Sequence, residues 1–248
     1  QHENGVDNVQ EIVNLLLLRG SIGIPGAGAC PVRGHSNVQG DRTMGIWEHL
    51  KPAFKEKLEK TFKFEAPAET GYNVVQALQA MHDNKVRVFF SMGGNLLLAA
   101  PDTEYTAQGM RNCDLTVMVS TKPNRNHLVT GKEAIILPCL GRTELDVQAS
   151  GEQFVSVENS MGIVHKSEGV LTPASEHLIS EPMIVAKLAK ATLGKNTKVD
   201  WDGLVDNYDL IRDKIETCIP GFDNYNERVR RKGGFYLPNG PREQKFTT

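Results

Sequence analysis

The amino-acid sequence predicts an α/β protein built on a mostly parallel β-sheet. Three observations predict it. Short apolar runs of strand length alternate with segments of helical periodicity, the pattern of βαβ units. The apolar runs stop at glycine, serine, threonine or proline. The chain has 248 residues, 40% of them hydrophobic, enough for a sizeable buried core.

The first element is a helix. Val6, Val9, Ile12, Val13, Leu16 and Leu17 recur at helical spacing and end at Gly20, which predicts one buried face. Residues 20–40 then carry Gly23, Pro25, Gly26, Gly28, Pro31 and Gly34. Ordinary connections take about 4–6 residues, so this long glycine- and proline-rich stretch marks a functional loop. Lys51 to Lys63 is charged and reads as helical or irregular surface. Tyr72 to Asp83 has a helical pattern through Val75, Leu78 and Met81. Val86 to Met92 reads as a buried strand closed by Gly93 and Gly94.

Thr103 to Cys113 is a second helix of this region. Leu115–Val119 is a second strand, and Ala134–Leu137 a third, stopped by Pro138. Phe154 to Val157 adds a further strand. Ser180-Glu181-Pro182 is a helix start, with a cap followed by an acid and a proline. Ile184, Leu188 and Ala191 carry that helix to Gly194. Trp201, Leu204, Val205, Tyr208, Ile211 and Ile215 predict one further amphipathic helix. Gly233 to Thr248 is expected to lie over a surface.

Composition excludes several classes. A net charge of −2 offers no basic field for nucleic acid. The local run Arg228, Arg230, Arg231 and Lys232 reads as a solvated helix face. No apolar stretch approaches the roughly 20 residues of a membrane span, so no membrane insertion is expected. The four cysteines, Cys30, Cys113, Cys139 and Cys218, are far apart, which argues against a disulfide framework or a cysteine-rich metal site. Reduced thiols and a cytoplasmic location are expected. Gln1 is no initiator, so a trimmed N-terminus is expected too.

In open parallel sheets, ligands bind beyond the carboxyl ends of the strands, at a switch in strand order. Three predicted strand ends carry small or polar residues. They are Gly93, Gly94 and Asn95, then Ser120, Thr121 and Lys122, then Arg142, Thr143 and Glu144. Glycine lets a ligand approach the backbone, and the polar side chains offer donors and acceptors. Helix capping accounts for any one of these loops taken alone. Three in succession leave a ligand site and a set of caps as even readings. Arg33 and His35 flank Gly34; an arginine grips an anion with two hydrogen bonds, and histidine titrates near neutrality. The pair is a candidate oxyanion grip, or else an exposed loop pair without a role. Gly26-Ala27-Gly28 follows a helix and has no third glycine at dinucleotide spacing, and no GxxxxGK[ST], HExxH or GxSxG occurs.

Pro25-Gly26-Ala27-Gly28-Ala29-Cys30-Pro31-Val32-Arg33-Gly34-His35-Ser36-Asn37-Val38-Gln39-Gly40 resembles the PGxGxxPxRGxxNVQG segment of molybdopterin oxidoreductases. These form the dimethyl-sulfoxide-reductase superfamily, and the similarity is greatest to formate dehydrogenase alpha subunits. Met92-Gly93-Gly94-Asn95 with Pro101-Asp102 resembles the family's MGxNP…PD turn, with Leu96 for the proline. Ile136-Leu137-Pro138 followed by Glu144 resembles VILP…E. Val157 to Ser160 resembles the TNxEGR region, and Ser180-Glu181-Pro182 the SDxW helix start. Gly233-Gly234-Phe235 and Pro238 resemble a late loop.

The resemblance implies a central cofactor-binding domain of a molybdenum or tungsten enzyme. Its fold would be a three-layer αβα sandwich with a Rossmann-like sheet. Residues 1–248 would form a single domain, with a core over about 1–195 and a helical extension and tail over 196–248. The cofactor would be molybdopterin guanine dinucleotide in the full-length protein, with none held by this stretch alone, which is expected to be inactive. Arg33 would position formate or a similar small oxyanion, with His35 standing where glutamine is common. Gly34, Asn37, Gly93, Gly94, Asn95, Ser120, Thr121, Glu144 and Glu181 would line the cofactor, Thr121 where aspartate is common. The metal ligand would lie in another segment, and the partners would be the remaining domains of the same polypeptide. A self-standing nucleotide-binding module without redox chemistry is the other reading.

Overall fold

The computed structural model describes residues 2–34 and 38–245. In chain order the elements are α1 (Gly5–Leu18), α2 (Val38–Thr43), α3 (Pro52–Phe62), α4 (Val74–His82), β1 (Val88–Met92), α5 (Leu96–Ala99), α6 (Thr103–Asn112), β2 (Leu115–Ser120), β3 (Glu133–Pro138), β4 (Asp146–Gln148), β5 (Gly151–Gln153), β6 (Val155–Glu158), β7 (Ile163–Ser167), α7 (Glu181–Leu193), α8 (Trp201–Asp206), α9 (Tyr208–Cys218), α10 (Tyr225–Val229) and β8 (Phe235–Tyr236). They divide into two compact units. One comprises Gln1–Ile46, Ser156–Lys166 and Ile219–Thr248; the other comprises Trp47–Val155 and Ser167–Cys218.

The second unit holds the parallel sheet, in the order β1-β2-β3. Phe90 stands beside Val117, and Val117 beside Ile135. The α/β reading therefore holds, and the first three predicted strands form this sheet. Around them the pairing differs, since β4–β5 and β7–β8 are antiparallel. The order of the parallel strands follows the sequence, so the expected switch in strand order is not found among the described residues.

Alternation along β2 splits the core. Met118 packs with Leu78 and Met81 of α4 and Ala107 and Met110 of α6. Val119, pointing the other way, packs with Cys139 and Ile184 of α7. Local caps set the helices that cover the strands. Asn73 and Gln76 form a reciprocal capping box at the start of α4. The Asp102 carboxylate accepts from the Tyr105 amide at 2.9 Å to open α6. Ser180 caps α7, with Pro182 in its first turn as the sequence predicts.

The single helix expected from Trp201 to Ile215 is two. The chain breaks at Asn207, which is extended (φ −145°). Groups outside the helices satisfy the broken ladder. The Asp206 carbonyl accepts from the Ser150 hydroxyl at 2.6 Å and the Ser150 amide at 3.2 Å. The Tyr208 amide donates to Gln153 Oε1 at 2.8 Å. The β4–β5 hairpin thus supplies what a continuous helix would supply to itself.

In the first unit, Phe222, Tyr225 and Phe235 form an edge-to-face cluster with ring centroids 4.7–5.9 Å apart. Phe235 is buried and β8 pairs with β7, so this part of the tail is core rather than the expected surface cover. Gly234 sits at φ +71°, and a Cβ there would strike the Val164 carbonyl. Arg228 is likewise no plain solvated residue. It lies 4.0 Å over the Phe235 ring and donates to the carbonyls of Gly221 and Asp223 at 3.1 and 2.9 Å. Helix α1 forms as predicted, but none of its residues is buried. Periodicity identifies an apolar stripe; it says nothing about whether a partner covers it.

Candidate functional site

The site is built where the three parallel strands end. Past β1 the chain turns through Gly93 (φ +67°) and Gly94 (φ +72°), a conformation that favours glycine, and a Cβ at either would meet open space. The Gly93 amide donates to the Val119 carbonyl at 2.8 Å, which ties this turn to the end of β2. The next residue, Asn95, precedes the short helix α5 without capping it. Its Oδ1 is buried and has no hydrogen-bond partner. A buried carbonyl oxygen left unmatched costs about 1–3 kcal/mol unless something donates to it.

Past β2 the Ser120 hydroxyl donates to the Lys122 carbonyl at 2.8 Å, closing a tight polar turn. Two amides that the sequence reading passed over then hold the first loop. Asn124 Nδ2 donates to the Gly94 carbonyl at 2.9 Å. Asn126, 2% exposed, accepts from the Leu97 amide at 3.1 Å and so anchors the start of α5. Asn-x-Asn after a polar strand end was the available signal, and Asx-turn chemistry was enough to explain it.

Past β3 the structure assigns Glu144 a structural part. Both carboxylate oxygens are engaged, one by the Gly141 amide at 2.6 Å and the other by the Ala174 amide at 3.0 Å. These amides hold the Glu144 carboxyl below its ordinary value. A Cβ at Gly141 would lie 3.8 Å from Thr121 Cγ2, so the ends of β2 and β3 lie side by side. Cys139 bridges to Ile179, one residue before the Ser180 cap, which brings the start of α7 to the same edge. There, burial raises the Glu181 carboxyl. Burial also pushes up the Cys139 thiol, with the Glu181 and Glu144 charges adding to it.

The carboxyl edge of one sheet therefore gathers Gly93, Gly94, Asn95, Ser120, Thr121, Glu144 and Glu181. The open glycine turn leaves the backbone accessible, and the Asn95 oxygen is an acceptor that no group of the fold answers. Arg33 and Gly34 are exposed and belong to the other unit. His35 and Asn37 lie outside the described residues. Among the described residues, no group of three or more His, Cys, Asp or Glu could hold a metal ion. All four cysteines are free, Cys30 exposed and the others buried. No described helix is long and apolar enough to cross a membrane.

No family model matches the chain. It is similar to a protein named an uncharacterized oxidoreductase in Mycobacterium bovis, 51% identical over 245 residues, covering 99% of this chain and 32% of the relative. It is 48% identical to the protein YdeP of Escherichia coli strain K12 over 248 residues, covering 100% of this chain and 32% of that one. It is 26% identical over 219 residues to the F420-dependent formate dehydrogenase subunit alpha of Methanocaldococcus jannaschii, covering 86% of this chain and 30% of the relative. The chain thus spans about a third of the length of the curated relatives it matches.

Proposed function

We propose that this chain is the nucleotide-holding central part of a molybdopterin-dependent oxidoreductase resembling the formate dehydrogenase alpha subunit. The observation that carries the reading is the buried, unpartnered Asn95 Oδ1 beside the open Gly93–Gly94 turn. The relatives support it: one is named an oxidoreductase, and a more distant one a formate dehydrogenase alpha subunit. The finer fold reading is a three-layer αβα module, with α4 and α6 on one face of the sheet and α7 on the other.

In this reading the residues take distinct parts. Asn95 Oδ1 accepts an N–H from the guanine base of molybdopterin guanine dinucleotide. Gly93 and Gly94 leave room for the ligand at the backbone. Ser120 and Thr121 line its flank, and Glu181 offers a further acceptor at the start of α7. Glu144 positions the third loop without touching the ligand. Asn124 and Asn126 hold the Gly93–Asn95 turn in shape. When bound, the metal–pterin group supplies the centre for oxygen-atom or hydride-equivalent transfer and the route for electrons. Arg33 holds a small oxyanion such as formate, and the remaining domains of the polypeptide complete the cofactor's surroundings.

The test uses the longer protein that contains this chain. Molybdenum or tungsten is measured by mass spectrometry, and guanine is measured after acid denaturation. Both are expected in stoichiometric amounts. Asn95→Leu is expected to weaken guanine retention about tenfold, the value of one buried hydrogen bond. Absence of guanine from the wild-type protein would sink the reading.

A further inference from the structure

Strand β3 has the sequence of a strand buried on both faces, yet every one of its residues is exposed. Ala134, Ile135, Ile136 and Leu137 form an uninterrupted apolar run, the mark of an interior strand in a parallel sheet. Ile135 is 45% and Ile136 50% exposed. Adjacent residues in a strand point to opposite faces, so both faces of β3 are open.

Its edge is open as well. A strand turns alternate amide and carbonyl groups to its two sides. Those facing β2 are paired in continuous register from Glu133 to Pro138. On the other side, no strand among the described residues pairs with β3. A charge and a proline stand only at the two ends of β3, Glu133 and Pro138, and Ala134 to Leu137 between them carry neither.

We propose that the free edge of β3 receives a further apolar strand, contributed by the same polypeptide from outside residues 1–248. A neighbouring strand matches a row of edge amides and carbonyls along its whole length, and its own side chains pack beside those of β3 on both faces. Relatives that match 99–100% of this chain devote only 32% of their length to it, so about two-thirds of a comparable polypeptide is available to supply the strand. Helix α1, in the other unit, has the same unfinished character, with Val9, Ile12 and Leu15 each about 60% exposed. The proposal rests on the longer-polypeptide part of the functional reading and on nothing about the cofactor.

The test is amide hydrogen exchange, resolved to single residues over 133–138, in the longer polypeptide. Amides on both sides of β3 are expected to exchange at least ~100-fold slower than in unstructured chain. Alternate amides exchanging near the unstructured rate would overturn the proposal. A second arm examines the 248-residue chain alone by light scattering over a range of concentrations. A dimer that Ile136→Lys abolishes, with no added protection of β3 in the longer polypeptide, would assign the edge to a second copy and also overturn it. A protein lacking guanine but protected along both sides of β3 would refute the cofactor reading and leave this inference standing.

Discussion

Asn95 and Glu144 show how two polar residues at one sheet edge take opposite roles. Glu144 has both oxygens matched by backbone amides, so its charge is used by the fold. Asn95 has a buried oxygen that the fold leaves unmatched. Removing each should therefore act in different places. With Asn95→Leu, the ligand-free chain is expected to keep its denaturation midpoint or gain up to about 1 kcal/mol, because an unsatisfied buried group is lost. With Glu144→Gln, stability at neutral pH should fall. The Glu144 carboxyl is depressed in the fold, so its contribution is present above its ordinary value of 4.5 and lost as pH falls through the lower folded value. The variant should accordingly lose less stability than wild type between pH 5 and pH 3, measured by urea unfolding. Parallel loss in both proteins would show that the two amide contacts carry no weight.

At the scale of elements, the break between α8 and α9 is the most informative departure from periodicity. Trp201 to Ile215 keeps a helical pattern throughout, but the β4–β5 hairpin reaches into the chain at Asp206 and Tyr208. The Tyr208 hydroxyl then joins three elements, donating to Asp146 at 2.6 Å and meeting the Ser180 hydroxyl at 2.6 Å. Burial and the Asp146 carboxylate keep that phenol protonated well beyond its usual range. Tyr208→Phe keeps the packing of the ring against Ala186 and Val205 and removes only these bonds. It is expected to cost about 1–2 kcal/mol by urea unfolding. An unchanged midpoint would show that the break is set by the backbone contacts alone.

At the scale of the whole molecule, the two units carry different candidate roles. The parallel-sheet unit carries the residues proposed to hold the nucleotide. The other carries Arg33, on a segment whose following helix is pinned by Glu158, which accepts from Gln39 at 2.7 Å and Thr43 at 2.6 Å. Separation of roles predicts separation of effects. In the longer protein, Arg33→Ala is expected to lower turnover at least ~100-fold while metal and guanine content stay at the wild-type level, since one charge-assisted contact to an oxyanion is lost. Unchanged turnover would remove Arg33 from the oxyanion role; loss of guanine would reassign it to holding the cofactor.

Much of this was legible in one dimension. Apolar runs of strand length located β1, β2 and β3, helical spacing located α4, and a cap followed by an acid and a proline located the start of α7, because these signals depend on local chain geometry. Glycine and asparagine at the strand ends pointed to the Gly93–Asn95 turn for the same reason. Tertiary structure decided the rest. It put Glu144 to structural use, broke the helix at Asn207, drew Phe235 into a core and left α1 and β3 uncovered. Each of these depends on which distant groups meet a given hydrogen bond or apolar face. Spacing along the chain records that a residue has such a demand, and only the folded contacts record what answers it.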